Sequence, residues 1–229
     1  MSASGNFPPH ATYLLLDAAG VTPRLGLWQD GRWLAWRECT TTTMPGLFEE
    51  IPTLLAEAKL TWEKIDGFIY PEGPGSVLGL RLAAMAIRTW QVDEAARPSP
   101  RELTVWACGS LHLAAALVIA GGVPIPFTAF TEVRQGLWRV LEVNSGDAAA
   151  LAAIPSREVL DGDLPFGALF HVPARKAWQG LPPQAQPLPT TLHKHPEIFQ
   201  QPGLLRQVET ATPYAGTPPE YRKWAGAEK

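Results

Sequence analysis

The chain has 229 residues, of which 46% are hydrophobic and 18% are charged. This composition is typical of a folded protein with a substantial core and excludes an intrinsically disordered chain. The formal net charge of -3 excludes the broad positive field on which non-specific nucleic-acid binding depends, so contact with RNA has to be local or made by a partner.

The cysteines and the N-terminus indicate the compartment. Cys39 and Cys108 lie far apart and lack metal-binding spacing, which predicts buried, reduced thiols and a cytoplasmic protein. Residues 1–12 lack the pattern of a secretion signal and predict a flexible leader. The most apolar window, residues 111–119, is too short to cross a bilayer, so no membrane association is expected.

The beginning of the chain predicts three successive antiparallel strands. Residues 13–17 form an apolar run that ends in Asp17, as in a central strand that emerges into a turn. Residues 24–28 and 32–38 flank Asp30-Gly31, and an Asp-Gly pair between two strand-like segments favours a tight hairpin.

A first helix is predicted over residues 45–59. Pro45 suits a first helical position, and Phe48 and Ile51 begin an apolar stripe that continues to Ala58. Pro52 would remove one intrahelical hydrogen bond, so the helix is expected either to kink there or to begin near Ile51.

The most distinctive local pattern follows a buried strand over residues 66–70. Gly73, Pro74 and Gly75 form a tight turn, and Ser76 is placed to cap the N-terminus of a helix over residues 77–92. Glycine at such a turn lets the backbone come close to another group.

The helix over residues 77–92 is apolar almost all round. Leu80, Ala84 and Ile87 lie in one stripe, and a second stripe runs through Leu78, Leu82, Met85 and Thr89. A helix of this kind is buried on more than one side. One side is expected to pack on the chain's own core, and the other to contact the second lobe or another protein.

The second half of the chain shows a similar order of strands and helices, with a weaker pattern. A strand is predicted over residues 103–107, a helix over 111–120, and strands over 127–130 and 137–143. After Ser145 the prolines become dense, and few regular elements are expected.

Three stretches carry a resemblance to a known family. Residues 73–81, Gly-Pro-Gly-Ser-Val-Leu-Gly-Leu-Arg, resemble the glycine-rich signature of the TsaB (YeaZ) family. Residues 132–136 resemble its Asp-Ala-Arg-x-Gly turn, and residues 219–224 resemble its C-terminal ending. Asp17-Ala18-Ala19 and Val77-Leu78 depart from the family's Asp-Thr-Ser and Phe-Thr, which weakens any residual ligand site.

The resemblance implies an α/β, actin-like, two-lobed fold with a degenerate second lobe. The lobes would comprise residues 13–108 and 109–229. It implies a non-catalytic subunit that pairs with the TsaD transferase in the synthesis of threonylcarbamoyladenosine on tRNA. Metal and nucleotide chemistry would belong to TsaD, with no cofactor or metal in this chain. A TsaE-like ATPase would be a further partner, and tRNA would be contacted only through the complex.

The resemblance also implies where the partner binds, because the family pairs through its first two helices. We expect the interface, with TsaD or with a second copy of the chain, to be formed by Leu47, Leu54, Leu78, Leu82, Met85 and Thr89. The signature residues Gly73, Pro74, Gly75, Ser76, Gly79 and Arg81 are expected to build the scaffold below it.

An alternative from another class is a divergent actin-fold kinase or ATPase. It would bind a nucleotide between the lobes, near Asp17 and Gly73, because a strand-end carboxylate can hold a magnesium-bound water. The glycine turn would then cradle a phosphate. No lysine follows the turn, so it is not a P-loop, and close backbone packing is the favoured interpretation.

The histidines and tryptophans also allow two interpretations. His193 and His195 could offer two imidazoles to a metal, but no third ligand accompanies them, and His112 is predicted to be a core or interface residue. The sequence shows no zinc motif of a peptidase. The nine tryptophans could stack on RNA bases, although core and interface positions are favoured.

Overall fold

The structure is a computed structural model. It describes residues 7–39, 44–144, 146, 148–165, 167–173 and 180–213, and for residues 44–47 and 148–149 it describes the backbone only. Two mixed sheets with helices between and beside them form an α/β fold, as the sequence predicts.

The first sheet begins with the predicted antiparallel meander. Its strands are β1 (Tyr13–Asp17), β2 (Arg24–Gln29) and β3 (Arg32–Glu38). Asp30 and Gly31 both have positive φ angles, 48° and 78°, which is the backbone that a two-residue hairpin turn requires. The hairpin prediction is confirmed.

The structure corrects the prediction of a flexible leader from Phe7 onward. The Phe7 ring lies 4.7 Å from Trp28, 4.8 Å from Trp106 and 4.9 Å from Tyr13, measured between centroids. This part of the leader is therefore held against the core, because an aromatic side chain gains more from burial than the backbone loses in freedom. Residues 1–6 lie outside the description.

The first helix, α1 (Met44–Glu57), runs through Pro52. Of the two expected outcomes, the late start near Ile51 is wrong. Pro52 is exposed, while Ile51 and Leu54 are buried beside it, so the missing amide hydrogen bond lies on the solvent side and the apolar stripe holds the helix to the sheet.

Three parallel strands form the centre of the first sheet. The sheet order is β11-β5-β4-β1-β2-β3, in which β4 (Gly67–Gly73) pairs in parallel with both β1 and β5 (Thr104–Gly109). Between β4 and β5 the chain forms α2 (Val77–Ala95), which extends three residues beyond its predicted end. Strand β11 (Arg206–Val208) comes from the far end of the chain, so the predicted C-terminal lobe returns to the first sheet.

The second sheet has the order β10-β9-β6-β7-β8. Its longer strands are β6 (Phe127–Arg134), which continues four residues beyond its predicted end, and β7 (Leu137–Val143), which has the predicted bounds. The expectation of few regular elements after Ser145 needs correction, because this stretch contains a short helix and four short strands. Besides β11 they are α4 (Ala148–Ala153), β8 (Arg157–Leu160), β9 (Leu169–His171) and β10 (Ala185–Pro187). These strands are too short to show periodicity and are held by pairing, β8 to β7, β9 to β6 and β10 to β9.

The helix α3 (Ser110–Ala120) connects the two halves of the core. Eight of its residues are buried, and the helix contacts β4 and β5 of the first sheet and β6 and β7 of the second. A helix with apolar residues on every side can only be satisfied in such a position. The clefts beside α3 are therefore bounded by both sheets.

Candidate functional site

The signature turn joins β4 to α2 with a defined cap. Gly73 has a φ of 122°, a backbone conformation that favours glycine. The Ser76 hydroxyl accepts a hydrogen bond from the amide of Gly79 at 3.2 Å, which confirms Ser76 as the N-cap of α2. The amide of Ser76 donates to the Ala19 carbonyl at 2.7 Å.

The glycines of the signature bring α2 into backbone contact with the end of β1. A Cβ atom on Gly75 would lie 2.5 Å from the Ala19 carbonyl oxygen, and one on Gly79 would lie 2.1 Å from that of Ala18. No side chain fits at these distances. Because Ser76 and Gly79 also use their amides within the chain, the geometry supports close packing rather than a phosphate cradle.

Asp17 lies at the same junction and is buried. One carboxylate oxygen accepts from the amide of Ala19 at 3.1 Å, and the other accepts from the Arg24 guanidinium at 3.3 Å. Asp17 borders a cavity of about 170 Å³ between the sheets, together with Ser110 and Thr131. The carboxylate is thus held by its own chain, whereas an ATPase needs it available to a magnesium-bound water.

One side of α2 carries large apolar side chains in solvent. Leu78 is 56% exposed, Met85 59% and Val92 69%. Leu80 and Ile87, on the opposite side, are buried in the first sheet's core. The first half of the sequence interpretation is therefore confirmed, because one side of the helix packs on the core. The other side is not covered by any described residue, and its contact with another protein stays a prediction.

The exposed residues Leu78, Met85 and Val92, which we call the α2 apolar row, follow each other at intervals of seven. Residues seven apart on a helix lie almost directly above one another, as they do along the contact seam of packed helices. Thr89 is exposed beside the row and donates its hydroxyl to the Met85 carbonyl at 2.9 Å. Leu82 is half-buried at the other edge of this side.

The structure changes which residues of α1 can belong to the predicted interface. Leu54 is completely buried in the core, so it cannot present contact area to a partner. The backbone of Leu47 lies in α1, but its side chain is outside the description. Phe48 is partly exposed, and its ring lies 6.1 Å from that of Trp90 in α2, so it is the α1 residue that extends the surface of α2.

Two members of the exposed surface were missed at the sequence level. Val77 is 64% exposed and Val92 is 69% exposed, and neither was assigned to the interface. The interval of seven from Leu78 through Met85 was the signal that identifies Val92. No such interval identifies Val77, which is exposed because it is the first residue of α2.

The paired histidines of the C-terminal half do not form a metal site. The two ring nitrogens of His195 lie 2.9 Å from the Glu197 carboxylate and 3.1 Å from the Thr190 hydroxyl, and the His193 ring stacks on Trp36 at 5.5 Å. Within the described ranges no group of three or more His, Cys, Asp or Glu side chains is placed to hold a metal ion.

The remaining predictions about side chains concern burial. Cys39 and Cys108 are buried free thiols, as predicted, and burial raises the pKa of both. His112 is half-buried in α3 and hydrogen-bonds to the Ile154 carbonyl at 2.9 Å, as expected of a core histidine. Of the tryptophans, Trp28, Trp106 and Trp138 are core residues. None of the helices in the described part combines the length and apolarity needed to cross a bilayer.

Comparison with known proteins gives structural matches alone, since no family model matches the sequence and no curated protein matches it significantly. An uncharacterised protein similar to the peptidase YeaZ from Pseudomonas aeruginosa matches at a TM-score of 0.55 and 16% identity, over 70% of this chain and 74% of its own. YeaZ from Pseudomonas aeruginosa matches at a TM-score of 0.51 and 19% identity, over 70% of this chain and 75% of its own.

The chain therefore has the YeaZ fold. This confirms the α/β fold implied by the resemblance, with two mixed sheets. The residues that carry the resemblance, 73–81, lie at the β4–α2 junction. The YeaZ-like ending at residues 219–224 lies outside the described part of the chain.

Proposed function

We propose that the chain is a non-catalytic interaction subunit of the tRNA threonylcarbamoyladenosine machinery, and that it pairs with a TsaD-like transferase through α2. The observation that carries this proposal is the α2 apolar row. A surface of adjacent, largely exposed Leu, Met and Val side chains on one helix is typical of a protein–protein contact. The YeaZ fold and the signature residues support the choice of partner.

The shape of the row suits a helix from the partner. Side chains at intervals of seven pack into a second helix that crosses at roughly 20°. Covering the exposed part of each of the three side chains would contribute on the order of 1 kcal/mol per residue. Without TsaD, a second copy of the chain could supply the opposing helix through a two-fold axis.

A charged residue beside the row favours a partner with an acidic side chain. Arg81 is exposed and makes no ion pair or hydrogen bond with the described residues. A carboxylate on the partner at this edge would select the register of the two helices. Arg88 differs, because its Nε donates to the Ala211 carbonyl at 2.7 Å.

In this role the chain would hold TsaD in an active form, while TsaD carries out the transfer and contacts the metal and nucleotide. A TsaE-like ATPase would join the same assembly, and tRNA would bind to the complex. Asp17 supports the non-catalytic part of the proposal, since each of its oxygens accepts a hydrogen bond from within the chain, one from Ala19 and one from Arg24.

The proposal is tested by replacing a residue of the row with a charge. In Met85→Glu a partner would have to bury a carboxylate in place of an apolar side chain, so co-purification with TsaD should be lost and binding should weaken at least a hundredfold. The tRNA modification rate of the reconstituted system should fall with it.

The matched control is Leu160→Glu, which places the same charge at a 62%-exposed residue of β8 in the second sheet. It should bind TsaD like the unchanged chain. Equal binding by both variants, with unchanged mass in sedimentation, would mean that α2 is not the partner surface.

A nucleotide-binding kinase or ATPase is the competing function, and the cavity beside Asp17 between the two sheets is the observation in its favour. It predicts micromolar binding of MgATP that Asp17→Asn abolishes. Calorimetry with the isolated chain separates the two proposals, because the interaction subunit should give no saturable heat with MgATP.

A further inference from the structure

A second cavity, of about 210 Å³, opens at the carboxyl ends of β4 and β5 and has no role in the proposed contact with TsaD. Its floor consists of small residues: Gly73, Ala107, Gly109, Ala152 and Gly203. The space exists because these positions carry little or no side chain. Ligands of α/β proteins commonly bind at this edge of a sheet.

The polar groups of this cavity come from separate parts of the fold. Glu72 belongs to β4, His112 to α3, Arg139 to β7 and Arg206 to β11, and Ser156 directly precedes β8. Strand pairing in the first sheet places Arg206 near Glu72, and the packing of the second sheet around α3 adds Arg139. Such convergence of a few polar side chains on a small cavity is the usual form of a small-molecule site.

The charges of the cavity are arranged in opposite pairs. Arg206 donates to the Glu72 carboxylate, and Arg139 donates to the Glu158 carboxylate at 3.3 Å and to the Ser156 hydroxyl at 2.9 Å. The lining itself holds two arginines and one glutamate, but each arginine is paired with a carboxylate, since Glu158 lies just outside the lining. The site as a whole therefore matches neither a plain anion nor a plain cation.

Donors and acceptors are both present in the lining. Arg206 has no partner other than Glu72 among the described residues, so its remaining N–H groups can donate to a ligand. His112 donates from Nε2 to the Ile154 carbonyl, which leaves Nδ1 of the neutral ring as an acceptor beside Gly109. The first turn of α3 borders the cavity as well and favours negative charge.

We propose that this cavity binds a small zwitterion, namely a free α-amino acid with a short side chain. The carboxylate of the amino acid would lie near the N-terminal end of α3 and accept a hydrogen bond from Arg206. Its ammonium group would donate to Glu72 and to Nδ1 of His112. An α-amino acid carries its two charges on neighbouring groups. Glu72 and Arg206 contact each other and so present the opposite charges side by side.

The size of the cavity supports this class of ligand. At roughly 30 Å³ for each water, the cavity has space for about seven water molecules, which is comparable to a small amino acid. Sites for drug-sized ligands begin at roughly 300 Å³, so a smaller ligand is expected in this cavity.

Three probes with a shared skeleton test the proposal by calorimetry on the full chain: L-alanine, propionate and ethylamine. Propionate lacks the ammonium group of alanine, and ethylamine lacks its carboxylate. L-alanine should bind at least tenfold more tightly than either. Equal binding of propionate would replace the proposal with a plain anion site, and absence of binding by all three at millimolar concentration would refute it.

Two variants and a matched control locate the site. Glu72→Gln and Arg206→Gln should each weaken L-alanine binding at least tenfold with little change in melting temperature, because their ion pair is partly exposed. Arg157→Gln breaks the exposed pair with Glu142 on the neighbouring strand, outside the cavity, and should bind L-alanine normally. An equal loss of L-alanine binding in Arg157→Gln, or unchanged L-alanine binding in Glu72→Gln, would contradict the assignment of the site.

Failure of this proposal can be distinguished from failure of the proposed function. A chain that fails to bind TsaD can still bind L-alanine, since none of the cavity residues belongs to the α2 apolar row.

Discussion

At the scale of single residues, the backbone contact between Gly79 and Ala18 is the tightest feature of the signature. A Cβ at position 79 would lie 2.1 Å from a backbone carbonyl oxygen, which cannot move aside as a side chain could. Gly79→Ala should therefore lower the free energy of unfolding by about 1–3 kcal/mol through overpacking.

Urea denaturation measures this loss, and Gly162→Ala is the control. A Cβ added at position 162 would meet no heavy atom within 4 Å, so that variant should be neutral or slightly stabilising. Equal stability of Gly79→Ala and the unchanged chain would contradict the close packing of α2 on β1.

His171 predicts a pH dependence. Burial in β9 lowers the pKa of His171 below its ordinary value of about 6.5, so the unfolded chain takes up this proton at a higher pH than the folded chain does. The contribution of His171 to stability is then complete above about pH 6.5 and is lost as the pH falls further.

Melting temperatures measured between about pH 7.5 and pH 5.5 test this prediction. The melting temperature should fall with pH, and His171→Phe, which keeps a ring against Phe130, should make the fall less steep. If the two curves run parallel, His171 is not the group responsible.

At the scale of secondary structure, local patterns in the sequence were sufficient where the cause is local. The Asp30-Gly31 hairpin, the Ser76 cap and the two apolar sides of α2 follow from turn chemistry and periodicity within one segment. Leu54 was misplaced because periodicity shows which residues share a face but not which face meets the sheet. The short strands β8 to β10 were missed because their pairing partners alone hold them.

The cap of α2 gives a prediction for this helix. Ser76→Ala removes the acceptor of the Gly79 amide and should cost about 1 kcal/mol of stability, whereas Ser76→Thr keeps an acceptor and should cost less. Thermal unfolding of the three proteins tests the order. Equal stability of all three would show that the hydroxyl does not cap the helix.

At the scale of the whole molecule, the arrangement of the two sheets was outside the reach of the sequence. The YeaZ-like order of elements predicted the fold class, but β11 joins β5 across nearly half the chain, and no local signal announces that pairing. For the same reason Arg139 and Arg206 were absent from the predicted site: the pairing of β11 with β5 brings Arg206 to Glu72, and the packing of the second sheet on α3 brings Arg139 to the cavity.

The central claim about the whole molecule is that another polypeptide covers the α2 apolar row. The most direct measurement is photo-cross-linking from a photoreactive amino acid in place of Met85, with Leu160 as the matched position. The account predicts cross-links from position 85 to TsaD, or to a second copy when TsaD is absent, and none from position 160. Cross-links from position 85 that reach only residues of the same chain would contradict it.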